Sequence, residues 1–239
     1  MINERNTVKI LGFGVDSFSF EQAVEYISSA CGQIVTINPE MIDCALNNDD
    51  FAQLINSADL VVPDGIGVEI GLKILGHNVR RIPGIELGMA LIKKFSEEGK
   101  TVAFVGAKPG VAESAVSSLK STYKNLNVVY CHDGYFENDE DILNEIISVK
   151  PDLVLVALGS PKQEFFGNKL KKNLENSVII GLGGSFDVWA GVVERAPKIY
   201  QRLGIEWLYR TVKEPKRFKR IFPTLPVFVL RVIKERLFK

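Results

Sequence analysis

TVAFVGAKPGVAESAVSSLKSTYKNLNVVYC, Thr101 to Cys131, reads as strand, glycine turn, helix, strand. The first run, TVAFVG, is apolar without a two-residue alternation, as in a strand covered on both faces. PGVAESAVSSLKSTY has helical period and places Pro109 at its first turn, where a missing N–H costs nothing. NVVYC then returns to strand composition. Two strands joined through a helix lie parallel, so this unit predicts a parallel sheet with crossover helices.

The same alternation runs from residue 8 to about residue 183. Further strands are predicted at 8–15, 33–37, 59–63, 152–158 and 177–183, several of them apolar throughout. SFEQAVEYISSACG opens with Ser19 and Gln22 in a capping-box arrangement and stops at Gly32. PGIELGMALIKKFSEEG (83–99) and NDEDILNEIISVK (138–150) carry acids early and lysines late, which suits the helix dipole. The predicted fold is α/β: a Rossmann-like, mostly parallel sheet with helices on both faces, plus a C-terminal helical appendage. The boundary is placed at 194/195, because residues 195–239 contain no strand candidate.

At 239 residues and 46% apolar content the chain can bury a substantial core. Net charge is zero, yet the two parts differ sharply. Residues 1–194 carry 16 Lys/Arg against 26 Asp/Glu, and residues 195–239 carry 13 against 3. A basic module of this kind calls for an anionic partner. LYRTVKEPKRFKR is followed by IFPTLPVFVL, an apolar stretch shorter than the roughly 18 residues of a spanning helix. In PVFVLRVIKERLFK, Val229, Ile233 and Leu237 form a stripe beside Arg231, Glu235 and Lys239, an amphipathic helix suited to an anionic membrane surface. A terminal helix packing that stripe on the domain is the alternative. Nucleic acid is the weaker partner, since basic tails that bind it seldom carry such an apolar segment. Cys31, Cys44 and Cys131 lack ligand spacing and read as buried thiols of a reducing compartment, and the polar N-terminus MINERNTVKI has no signal-peptide core.

Doubly wound sheets bind ligands beyond the carboxyl ends of their strands. The residues there are Thr36, Asn38 and Glu40 after the second strand, Asp64 after the third, Gly106 to Gly110 after the fourth, Gly159 to Glu164 after the sixth and Gly183 to Asp187 after the last. GAKPG and GLGGSFD suit close approach of a phosphate; the alternative is an ordinary tight turn, and neither matches the GxGxxG or Walker pattern. Asp64 in VVPDGIG could cap the following helix or act as a general base. His77 and His132 are too isolated for a triad or a metal site. Asp139 and Asp141 spell DxD, a pattern that holds a divalent metal in many sugar-nucleotide transferases, but they also stand where a helix start favours acids.

TINPEM, VVPDGIGV, RRIPG, FVGAKPG, ALGSPKQE, GLGGSFDVWAG and RAPKIYQRLGIEWLYRTVKEPKR occur in this order in one chain. The sequence closely resembles the WecG/TagA/CpsF glycosyltransferase family over nearly its whole length. The resemblance implies a membrane-associated cytoplasmic enzyme on the inner face of the bacterial membrane. It would move N-acetylmannosamine from its UDP donor to the 4-hydroxyl of GlcNAc in undecaprenyl-diphosphate-GlcNAc, with inversion and no obligatory metal or cofactor, as in teichoic acid linkage-unit synthesis. By the same resemblance Asp64 is the general base, Thr36 and Asn38 line the sugar pocket, and Gln163 meets the donor sugar or diphosphate. Of Arg80 and Arg81, between which the resemblance leaves a choice, Arg81 is the one expected to enter the site. Gly106, Lys108, Gly110 and Gly184 approach the nucleotide, and Asp187 bonds the uracil. Arg210, Arg217 and Arg220 would close over the site and neutralise diphosphate, a task for which arginine's planar fork is suited. Relatives that use UDP-N-acetylmannosaminuronate or UDP-glucose leave the donor open. A non-catalytic nucleotide-binding protein docked on a membrane is the alternative of another class, and a homo-oligomer formed through exposed apolar surface is compatible with the sequence.

Overall fold

The computed structural model describes residues 5–213 and 215–238, without the side chains of Arg210 and residues 215–222. The expected diphosphate contacts Arg210, Arg217 and Arg220 therefore lie outside the described residues.

The stretch 8–15 is not one strand of the parallel sheet. It is an antiparallel hairpin, β1 (Thr7–Ile10) and β2 (Phe13–Asp16), with Ile10 opposite Phe13. The reversal falls on Leu11 and Gly12, whose φ angles of 50° and 88° give the two left-handed positions that a tight hairpin turn requires. Asp16, fully buried, accepts from Arg5, from the Thr7 hydroxyl and from the Val61 N–H at 2.8 Å. The hairpin is thereby fastened to the main sheet.

That sheet has six parallel strands, β3 (Gly32–Ile37), β4 (Leu60–Pro63), β5 (Thr101–Gly106), β6 (Asn127–His132), β7 (Leu153–Ala157) and β8 (Val178–Gly181), in the order β4-β3-β8-β7-β5-β6. Alternate residues of each strand enter different cores. Ile34, Leu60, Val62, Val102, Phe104, Leu155 and Ile180 pack under α1 (Phe20–Ser29), α5 (Gly84–Glu97), α6 (Val111–Thr122) and α9 (Ser185–Trp189). On the other face Val35, Ile37 and Val61 meet the hairpin, α2 (Pro39–Ala45), α3 (Asp49–Asn56) and α4 (Ile66–Ile74). Ala103, Val105, Val154, Val156 and Ile179 meet α7 (Asp139–Val149) and α8 (Lys162–Lys171). Two-sided burial explains the continuous apolar runs.

The capping box at Ser19 is present, with the Gln22 N–H bonded to the Ser19 hydroxyl and the Gln22 side chain returned to the Ser19 N–H. α2 and α3 were not among the predicted helices. Each is opened by an asparagine whose side chain accepts an N–H of the first turn, Asn38 from Met41 and Asn48 from Phe51. Pro39 at the first helical position and Asp49-Asp50 in the first turn complete these starts.

The C-terminal part consists of α10 (Lys198–Arg202), α11 (Glu206–Lys213) and α12 (Pro215–Leu237). α12 packs on α2 and α4, and of the predicted stripe only Val229 lies against that core. Phe228 and Val232 are the buried pair, with Gly71 flush against the Phe228 ring. Ile233 and Leu237 face outward, 40% and 75% exposed. Arg231 pairs with Asp43 at 2.5 Å, and Glu235 accepts the Leu11 N–H at 2.7 Å. The helix therefore has one face keyed into the core and another, with Leu230, Ile233 and Leu237, left apolar and exposed. Among the described residues no helix is long and apolar enough to cross a membrane.

Candidate active site along the carboxyl edge of the sheet

β5 is followed by α6 and a step outward to β6, whereas β7 is followed by α8 and a step in the opposite direction to β8. Crossovers that diverge in this way open a crevice between the two strands, the usual ligand position of a doubly wound sheet. Its walls are the GAKPG turn and the Gly159–Lys162 turn. Gly106 has φ 129°, and a Cβ there would lie 2.4 Å from the Ala157 carbonyl oxygen, so only glycine fits. Ala107 donates to that carbonyl at 2.8 Å and accepts from the Gly134 N–H at 2.8 Å, which draws the β6 turn onto the loop. Gly110, in left-handed conformation, is the N-cap of α6, and Lys108 is exposed on the loop. α9 packs on α6, so Gly184, the N-cap of α9, and the half-buried Asp187 belong to the same end of the edge. The Asp187 carbonyl accepts from Val192 and Val193, which holds the backbone of this short helix in place.

The acid lies toward the other end. Asp64 donates its N–H to the Ile37 carbonyl at 2.7 Å, and Pro63 accepts from Ile82, which pins the RRIPG segment to the end of β4. The N-cap of α4 is Gly65, with φ 84°, so Asp64 is not the capping residue considered from sequence. A Cβ at Gly84, the first residue of α5, would lie 3.4 Å from Thr36 Oγ1 and 3.6 Å from Asp64 Oδ2. The Thr36 hydroxyl, the Asp64 carboxylate and the start of α5 thus share one corner. Asp64 is half-buried, open enough to reach a ligand and enclosed enough to be oriented.

Asn38 spends its Oδ1 on the cap of α2, leaving its amide N–H groups for other partners. It lines a cavity of about 260 Å³ with Glu40, Met41, Asp43, Cys44, Ser160 and Thr224. The lining brings together the ends of β3 and β7 and the middle of α12. A Cβ at Gly67 would meet Pro39 and Leu225, so α12 passes directly over the N-termini of α2 and α4. Arg81 is half-buried and Arg80 exposed. The Arg81 guanidinium donates to the Gln201 carbonyl and its N–H to Glu69, so it ties α10 to the acid end of the edge.

Gln163 stands between the two ends. It is buried, its Oε1 accepts the Gly183 N–H at 3.0 Å, and its Nε2 donates to Glu164 Oε1 at 2.7 Å. Burial raises the Glu164 pKa. Gln33 donates to the Glu164 carbonyl at 2.7 Å. Gln33 and Glu164, 131 positions apart, have no shared motif that would announce their contact. Asp139 of the DxD pair faces Lys162 and Lys169 at 3.7 and 3.8 Å, and no group of three or more metal-ligating side chains occurs among the described residues.

A glycine-walled crevice at a topological switch point, with an acid further along the same edge, places the chain in the class of doubly wound α/β proteins that bind ligands beyond the carboxyl ends of their strands. The model of the glycosyl transferase WecG/TagA/CpsF family matches residues 8–239, and the chain belongs to that family. A Bacillus spizizenii protein named N-acetylglucosaminyldiphosphoundecaprenol N-acetyl-beta-D-mannosaminyltransferase is 37% identical over 203 residues, 84% of this chain and 79% of the relative. Proteins of the same name from Bacillus subtilis strain 168 and Staphylococcus aureus strain MW2 are each 35% identical, over 88% and 98% of this chain and 82% and 96% of their own lengths.

Proposed function

We propose that this chain is an inverting glycosyltransferase that moves N-acetylmannosamine from UDP to the 4-hydroxyl of GlcNAc in undecaprenyl-diphosphate-GlcNAc, the step of teichoic acid linkage-unit synthesis. The observation that carries this reading is the shared edge: Asp64 and Thr36 at one end, the glycine loops at the other, Gln163 between them. The donor's nucleotide lies in the crevice against Gly106, Lys108, Gly110, Gly184 and Asp187. Its sugar extends toward Gln163, Thr36 and Asn38. Asp64 takes the proton of the acceptor hydroxyl as that oxygen attacks the anomeric carbon, while the bond from that carbon to the UDP oxygen breaks and its electrons leave with the diphosphate. Arg210, Arg217 and Arg220 supply the positive charge that the departing diphosphate needs, and no metal is required.

The exposed apolar row of α12, Leu230, Ile233 and Leu237, with Lys234 and Arg236 beside it, supports a peripheral seat on an anionic bilayer at the cytoplasmic face. α12 passes over Asn38 and Gly67, so the same helix brings the membrane-held acceptor to the acid end. Donor identity is tested by incubating the protein with a vesicle-borne polyprenyl-diphosphate-GlcNAc and, separately, UDP-N-acetylmannosamine, UDP-N-acetylmannosaminuronate and UDP-glucose. A lipid-linked disaccharide is expected with the first. Product with only one of the others would keep the chemistry and replace the sugar.

A further inference from the structure

Three buried polar side chains run from β3 through the first turn of α8 to the turn after β8: Gln33, Glu164 and Gln163, 3%, 4% and 6% exposed. Polar groups this deep are retained where their hydrogen bonds have work to do. Gln33 fixes the main chain of Glu164. Glu164 Oε1 accepts from Gln163 Nε2 at 2.7 Å, while Oε2, equally buried, has no hydrogen-bond partner among the described residues. Ser160, from the turn that lines the cavity beside Asn38, approaches the same carboxyl.

The consequence falls on Gln163. A side-chain amide has two nearly isosteric orientations, and its neighbours decide between them. Here the Gly183 N–H requires an acceptor on one side and Glu164 Oε1 requires a donor on the other, so Oε1 points to the glycine turn and Nε2 to the carboxyl. Gly181 crowds the amide from below, where a Cβ would come within 2.6 Å of Nε2. One of the two Nε2 hydrogens is used on Glu164, and among the described residues the second makes no hydrogen bond. Burial favours the neutral carboxyl, which can still accept through its carbonyl oxygen. A neutral group also places no negative charge beside an anionic donor.

We propose that Glu164 is a positioning residue for the transfer: by accepting from Gln163 Nε2 it fixes the orientation in which the second amide N–H meets the donor. This rests on the glycosyltransferase reading above. Glu164→Leu keeps the volume and removes the acceptor, whereas Glu164→Gln keeps an acceptor oxygen and carries no charge.

The test measures acceptor-dependent UDP release, thermal midpoint and the Gln163 side-chain amide signals in nitrogen-15 spectra of the full-length protein. Glu164→Leu is expected to lower kcat/KM by about tenfold or more, since a misdirected contact at the reacting sugar costs positioning. Its midpoint is expected to fall by only a few degrees, since the Gln163 Nε2–H loses its acceptor while a half-paired buried carboxyl is removed at the same time. Glu164→Gln should restore most of the activity, and in a Gln163→Ala background Glu164→Leu should add no further loss. The Gln163 amide protons should exchange slowly with solvent in the parent and in Glu164→Gln, and faster in Glu164→Leu. Full activity in Glu164→Leu, equal impairment in Glu164→Gln, or an undiminished loss in the Gln163→Ala background overturns the proposal. If Glu164→Leu does not fold, Glu164→Met takes its place. If the parent transfers no sugar, the functional reading fails, while the amide signals still decide whether Glu164 orients Gln163.

Discussion

Asp64 is held by its backbone, not by chance of a turn: its N–H is bonded to Ile37, the carbonyl before it to Ile82, and its carboxylate shares a corner with Thr36 and the start of α5. Gly65, not Asp64, is the N-cap of α4, and on the proposed mechanism the carboxylate takes the proton of the acceptor hydroxyl. Asp64→Asn keeps the shape and removes the base. General-base catalysis contributes on the order of 10² to 10⁴ in rate, so transfer is expected to drop by that factor. UDP affinity by calorimetry should stay within about twofold, since the glycine loops proposed to hold the nucleotide stand at the other end of the edge. A weakened UDP affinity would place Asp64 with the donor. Gly106 gives a contrasting case at the nucleotide end. Gly106→Ala forces a Cβ to within 2.4 Å of the Ala157 carbonyl at a φ that side chains avoid, and a stability loss of about 2 kcal/mol or more is expected in denaturant unfolding.

At the scale of elements, α12 joins two kinds of contact. Phe228 and Val232 belong to the core under α2 and α4, so Phe228→Ala should cost roughly 3–5 kcal/mol of stability, read from urea unfolding. The outward row behaves differently: Leu230→Ser with Leu237→Ser should leave the unfolding midpoint in place and lower binding to anionic vesicles several-fold in a sedimentation assay. Unchanged vesicle binding would show that this face serves another purpose. The sequence showed that α12 is amphipathic, and most of the stripe it read, Ile233 and Leu237, is exposed while Phe228 and Val232 face the core. Val229, Ile233 and Leu237 share the spacing of the buried Phe228 and Val232, and only the surface of α4, with Gly71 opening space for a ring, selects the register. The inner parallel strands were legible because two-sided burial leaves uninterrupted Val and Ile runs, and the half-exposed edge strand β6 was legible from NVVYC after a helix. β1 and β2 were not, since a turn on Leu-Gly between apolar residues resembles a strand passing through glycine. α2 and α3 are short and begin on asparagine caps whose role appears only once a helix is drawn. The glycine loops and Asp64 were readable as strand-end residues, but the Gln33–Glu164–Gln163 chain depends on residues 131 positions apart and exists only in the folded protein.

On the scale of the whole molecule, the excess of acids in residues 1–194 and of bases in residues 195–239 becomes a spatial arrangement. The basic end is not a detached tail. Arg81 ties α10 to the site, Arg195 pairs with Glu86 and Glu206, and α12 lies across the N-termini of α2 and α4. The C-terminal part is thereby fastened to the end of the edge that carries Asp64, the arrangement on which the proposed meeting of a soluble anionic donor and a membrane-held anionic acceptor rests. The most direct measurement is UDP release by the full-length protein mixed with UDP-N-acetylmannosamine, with and without polyprenyl-diphosphate-GlcNAc in vesicles. Release that requires the acceptor and matches the disaccharide formed mole for mole is the expected result. Equal release without acceptor, or none with it, would contradict a glycosyl transfer completed at this edge.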